Sequence, residues 1–210
     1  MLLPRDRSRE AQQAMTPAQA LEKLKAGNER FVSGTSQPHD RLAEVRSTAS
    51  GQFPFAAVVS CLDSRQPTEI VFDQSIGNVF SARIAGNIIN DDILGSLEFA
   101  CAVAGAKLIV VVGHTRCGAI KGACDGVELG HLTGLLNRIQ PAVQRVPSYV
   151  QPRTSKNTEF VEKVAAANVQ VALIQIREKS PILRELLDQG RIGLVGGMYD
   201  LETGRVDFYP

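Results

Sequence analysis

Two runs of this chain, Phe55-Ala-Ala-Val-Val-Ser60 and Leu108-Ile-Val-Val-Val112, show no alternation of polar and apolar residues. A strand with one face in water needs that alternation, so both read as strands buried on both faces, the kind found in parallel sheets. Residues 79–84 and Val171-Ala-Leu-Ile-Gln-Ile176 have the same character, and helical patterns lie at 93–104, 132–146 and 158–168. Strands alternating with helices predict an α/β fold, a mostly parallel β-sheet core flanked by helices. Near the end, Ser180-Pro181 opens a short helix over 182–188 that Gly190 closes. Residues 192–201 and 205–209 then flank Glu-Thr-Gly, which predicts an antiparallel C-terminal edge hairpin.

Ahead of the first strand, Thr16 as N-cap and Pro17 at the first helical position start an amphipathic helix over 16–32, an N-terminal helical arm. A polar connection over 33–52 comes next, with a short helical piece around 42–46. Residues 1–15 read as a flexible extension and 16–210 as one domain, since 210 residues suit a single core. With 23 basic and 22 acidic residues and no basic block, nothing in the charge favours nucleic acid. No apolar run approaches the roughly 20 residues of a membrane helix. Charges at the N-terminus, where a signal peptide is apolar, make cytoplasm the default compartment. Four cysteines, at 61, 101, 117 and 124, are too few and too irregular for a disulfide framework.

Open parallel sheets bind ligands at the carboxyl ends of their strands. There the first strand runs into Cys61-Leu-Asp63-Ser-Arg65, and the third into Gly113-His114-Thr-Arg-Cys117-Gly118. Two thiolates and an imidazole meeting there, with a fourth position open, would make a catalytic zinc arrangement. Either motif alone is as readily ordinary core cysteine and a turn histidine; together they favour a site. Residues 113–118 have P-loop spacing, but Ala119 stands where the phosphate-binding Lys belongs. Without C-x-x-C, a thioredoxin-like reading also falls.

The C-x-D-S-R and G-H-x-x-C-G motifs resemble those of the β-class carbonic anhydrase family. The likeness extends from A-L-E-K-L-K-A-G-N-E-R-F at 20–31, through Ala82-Arg-Ile-Ala-Gly-Asn87, to Val195-Gly-Gly-Met-Tyr-Asp-Leu201. It implies one zinc per chain on Cys61, His114 and Cys117, and hydration of carbon dioxide to bicarbonate by zinc-bound hydroxide. Arg65 would hold Asp63, which orients that hydroxide; in some members the Asp instead becomes the fourth zinc ligand, closing the site. The resemblance also implies Gln52, Phe80, Ala85 and Phe99 as cleft residues and the Gly118 N–H as a bicarbonate donor. Phe80 and Phe99 read equally well as core. Members with a bicarbonate regulatory pocket carry Trp three residues before the first Cys, where this chain has Val58.

A homodimer, or a dimer of dimers, is the expected assembly, with cleft residues from both subunits. No partner is expected beyond the small-molecule substrate and further copies of the chain, neither nucleic acid nor membrane. Cys101 reads as core, Cys124 as a spare thiol, and His39 and His131 as solvated surface. Arg116 either faces the cleft or pairs with a neighbouring acid. The rival readings are a carbonyl sulfide or carbon disulfide hydrolase on the same scaffold, and a zinc-holding binding protein without catalysis.

Overall fold

A computed structural model describes residues 8–209. Its core is a five-stranded sheet in the order β2-β1-β3-β4-β5, made of β1 (Ala56–Ser60), β2 (Val79–Arg83), β3 (Leu108–His114), β4 (Gly193–Tyr199) and β5 (Val206–Phe208). The first four strands pair in parallel, and β5 closes the edge antiparallel to β4. Every residue of β1 and β3 is buried, as their unbroken apolar sequence requires.

Helices cover both faces. On one, α2 (Pro17–Val32) and the single turn α4 (Thr68–Val71) pack Ala20, Leu24, Val71 and Phe72 against Val58, Val110 and Val112. On the other, α5 (Asp91–Glu98), the π-helical turn Phe99–Val103 and α10 (Pro181–Asp188) pack against Ala57, Val59, Ile109 and Val111. A third apolar cluster lies beyond the carboxyl ends of the strands. There α6 (Gly118–Cys124), α7 (Gly130–Asn137), α8 (Gln140–Arg145) and the first half of α9 (Thr158–Lys179) meet Cys61, Ile88 and Cys117.

The strand expected at 171–176 is absent: these residues form the second half of the 22-residue helix α9. A short apolar run does not by itself distinguish a buried strand from a buried helix segment. No Gly or Pro interrupts residues 158–180, so the helix continues until Pro181, burying Val169, Ala172 and Ile176 at helical spacing. The fourth parallel strand is instead β4. Arg9–Ala14, grouped by sequence with the flexible extension, form helix α1, capped by Ser8, with Gln12 buried and bonded to the carbonyls of Pro54 and Ala104. Residues 1–7 lie outside the described residues.

His39, expected on the solvated surface, is mostly buried just before α3 (Arg41–Thr48). Its Nδ1 lies 2.8 Å from Glu44 Oε1 and its Nε2 3.1 Å from Asp73 Oδ1. Arg30 from α2 and Arg41 complete the cluster, on Asp73 and Glu44 respectively. Burial opposes ionisation of Glu44, but the Ile76 N–H, His39 and Arg41 outweigh it and bring its pKa from 4.5 to about 2. A depressed carboxyl stabilises the fold fully above its unfolded value and loses that contribution as pH falls through its folded one. Glu44→Gln is therefore expected to lower stability by on the order of 2 kcal/mol near neutral pH. That difference should narrow as pH falls through 4.5 toward 2, measured by urea unfolding of both proteins across that range.

Candidate metal centre and catalytic dyad

β1 and β3 lie side by side with Ser60 opposite Val112, so the loops that leave the two strands emerge at one place. Cys61 comes directly after β1, His114 is the last residue of β3, and Cys117 caps the start of α6. Their ligand atoms lie within 4.8 Å of one another, the two sulfurs 3.9 Å apart, and all three residues are buried. Asp63 stands outside this group, half-buried, with Oδ2 3.9 Å from His114 Nε2.

The protonation pattern suits a cation. His114 Nδ1 is 2.9 Å from the Thr115 carbonyl, which only accepts, so the ring proton belongs on Nδ1 and the lone pair on Nε2. That buried Nε2 has no hydrogen-bond partner. A buried, unpaired nitrogen facing two thiols is costly unless something electrophilic completes it. Hydrogen bonding from Cys117 lowers the Cys61 thiol against the pull of burial, with help from the Gly86 and Asp63 N–H groups. Cys117 is pushed up by that same shared proton, then by burial. Sulfur binds a metal as thiolate, so a divalent cation here would displace thiol protons. Soft sulfur with imidazole as the three donors fits zinc.

Beside the donors, Arg65 holds Asp63 through Nε to Oδ1 at 2.9 Å and Nη2 to Oδ2 at 2.7 Å, and its backbone N–H adds a third bond at 3.0 Å. These bonds, with Arg65 first among causes, keep the Asp63 carboxyl well below the usual carboxylate range despite partial burial.

A model of the carbonic anhydrase family matches residues 56–206. Carbonic anhydrase 2 of Mycobacterium tuberculosis is 35% identical over 190 residues, which cover 90% of this chain and 91% of that one. The β-carbonic anhydrase CafA of Aspergillus fumigatus superposes with a TM-score of 0.73 at 26% identity, over 88% of each chain. The chain belongs to the β-class carbonic anhydrase family. Another member, from Mycolicibacterium smegmatis, is 34% identical over 91% of this chain and 92% of its own.

Other sequence-predicted residues are spread more widely. Gly118, exposed, opens α6 next to Cys117, while Gln52 is exposed before β1 and Ala85 is half-buried after β2. Phe80 and Phe99 meet edge to face, centroids 6.3 Å apart, in a depression whose lining includes none of Cys61, Asp63, His114 and Cys117. Cys101 is core, its thiol pushed up to about 12 by burial. Cys124 is half-buried and stands outside the donor group. His131 is exposed.

Arg116 pairs with acids on both sides: its N–H donates to Glu162 Oε1 at 2.9 Å, and its guanidinium pairs with Glu202. Its positive φ of 56° gives the tight turn between His114 and Cys117. Two supports went unassigned in the sequence. Arg83 donates to the carbonyls of Cys61 and Asp63, and the Gly86 N–H donates to Cys61 Sγ at 3.3 Å. Both lie within the Ala82–Asn87 segment, whose likeness to the family was visible but whose roles depend on the loop's path.

Cys117→Ser is expected to reduce retained zinc at least tenfold relative to the parent protein, on the order of the cost of losing a supporting interaction or more. Cys124→Ser should retain the parent's content. Metal analysis after dialysis against a weak chelator reads both.

Proposed function

We propose that this chain catalyses the zinc-dependent, reversible hydration of carbon dioxide to bicarbonate and a proton. The observation that carries the reading is the Cys61, His114 and Cys117 donor set beside a carboxylate held by a bidentate guanidinium. Zinc on those donors supplies the Lewis acidity that makes water nucleophilic near neutral pH. Asp63, kept ionised by Arg65, accepts the hydrogen bond of the attacking water and so turns its lone pair toward the carbon of the substrate. Arg65 positions that carboxylate. With Asp63 engaged by Arg65, the arrangement supports the open form of the site; the closed form requires Asp63 to leave Arg65. Gln52, Ala85 and Gly118 remain assigned to substrate on the family resemblance.

Stopped-flow hydration assays at about pH 7 and about pH 8.5, with zinc measured on the same sample, test this reading. About one zinc per chain and faster hydration at the higher pH are expected. Asp63→Ala should keep its zinc and lose roughly a hundredfold in rate. Bound zinc with no hydration at either pH would overturn the assignment and direct the search to carbonyl sulfide and carbon disulfide.

The same reading makes the protein a homodimer. β2 pairs on one side only among the described strands, and its outer flank with α5 forms an apolar depression of about 750 Å³ holding Phe80, Ala82, Ile93 and Phe99. Phe99 is 53% exposed there. A second copy covering this face accounts for the exposed ring, and for Phe80 and Phe99 as cleft residues although none of their own chain's metal donors lines this depression. Phe99→Asp is expected to shift sedimentation toward the monomer with circular dichroism unchanged; unchanged sedimentation would remove this face from the assembly. All four cysteines are unpaired, which supports the proposal of a reducing, cytoplasmic setting.

A further inference from the structure

Asn168 sits within the apolar face of α9, 3% exposed, with Val164, Ala165, Val169 and Ala172 buried around it in the helix. An amide in such a place is costly unless it is hydrogen-bonded, so its partner matters. Its Nδ2 donates to the Gly86 carbonyl at 2.7 Å, across 82 residues of sequence. Gly86 in turn donates its own N–H to Cys61 Sγ at 3.3 Å. The glycine has a left-handed conformation, φ +65°, close to Ile139 and Ala119. A Cβ there would lie 2.8 Å from Ile139 Cδ1 and 3.2 Å from Ala119 Cβ. Residue 86 is thus fixed by the Asn168 amide and crowded by apolar side chains, with its N–H donated to the sulfur.

We propose that Asn168 is a positioning residue for the metal centre, which acts through Gly86 to orient the Cys61 thiolate and moderate its charge. The inference rests on the metal reading of Cys61, His114 and Cys117. Two thiolates place more negative charge on a metal than neutral imidazoles do, which weakens its effect on water. An N–H donated to one sulfur draws part of that charge back, as hydrogen bonds to ligand atoms do in other metal sites. Asn168 makes that bond persistent by preventing the 85–87 turn from rotating away.

The test uses the full chain loaded with cobalt(II), whose thiolate-to-metal charge-transfer band reports on sulfur donation, and zinc affinity by competition with a chromogenic chelator. Asn168→Ala and Asn168→Asp are expected to shift the band and to weaken zinc binding by about tenfold or more. Val164→Ala, equally buried in α9, serves as a control for lost packing and should leave band and affinity where the parent has them. Asn168 variants with the parent's band and affinity would overturn the proposal, as would a Val164→Ala shift of equal size. A parent protein that binds neither cobalt nor zinc would instead overturn the metal reading. Should neither Asn168 variant fold, the parent loaded with NMR-active cadmium decides. Scalar coupling between the Gly86 amide proton and the metal is expected, and its absence would overturn the proposal.

Discussion

The parallel register of β1 against β3 is the constraint on which the site depends. Ser60 faces Val112, so Cys61, just beyond β1, and His114, at the end of β3, come to one edge of the sheet although 52 residues lie between them in the sequence. A slip of one residue would turn Ala57 and Val59 toward α2 and Val58 toward α5, opposing both apolar layers at once. The burial of every residue in both strands therefore fixes where the ligands emerge. Hydrophobic packing does the aligning, and the polar chemistry uses the edge it creates.

That edge is then stiffened by hydrogen bonds to backbone rather than by further ligands. Arg83 holds two carbonyls of the loop after β1, Glu162 holds the Arg116 N–H in the loop after β3, and Tyr199 pairs with His114 across the sheet and accepts from the Thr115 N–H. Helix α9 serves two loops, contributing Glu162 to the one after β3 and Asn168 to the turn after β2. The close fit of that helix shows at Gly113, where a Cβ would approach Val169 Cγ2 to 2.8 Å. Charge is handled equally locally. Asp63 faces the donors with its ionised form secured by Arg65, two residues away, so the pair is built within one short loop.

Much of this was legible before the fold was known. Unbroken apolar runs marked β1 and β3, the Thr16-Pro17 cap marked α2, and Glu-Thr-Gly marked the turn into β5. Each signal is local, since it arises from side-chain period or backbone preference within a few residues. The reading failed at 171–176 because Val, Ala, Leu and Ile fill a buried helix face as readily as a strand, and only the packing of α9 on β3 and β4 decides. His39 failed for a related reason. Its polar neighbours suggested solvent, but its partner Asp73 is 34 residues away and was invisible to any window around it.

The amino-acid sequence by itself determined the alternation of strands and helices, the residue types able to bind a soft metal, and the short-range pairing of Asp63 with Arg65. All of these depend on neighbours within one element or one loop. Tertiary structure alone decided that the two sulfurs lie 3.9 Å apart, that His114 Nε2 is left without a partner, and that an amide from α9 reaches Gly86. Those facts are distances between segments far apart along the chain. They result from how three apolar clusters settle around one sheet, and pattern along the chain carries no measure of that settling.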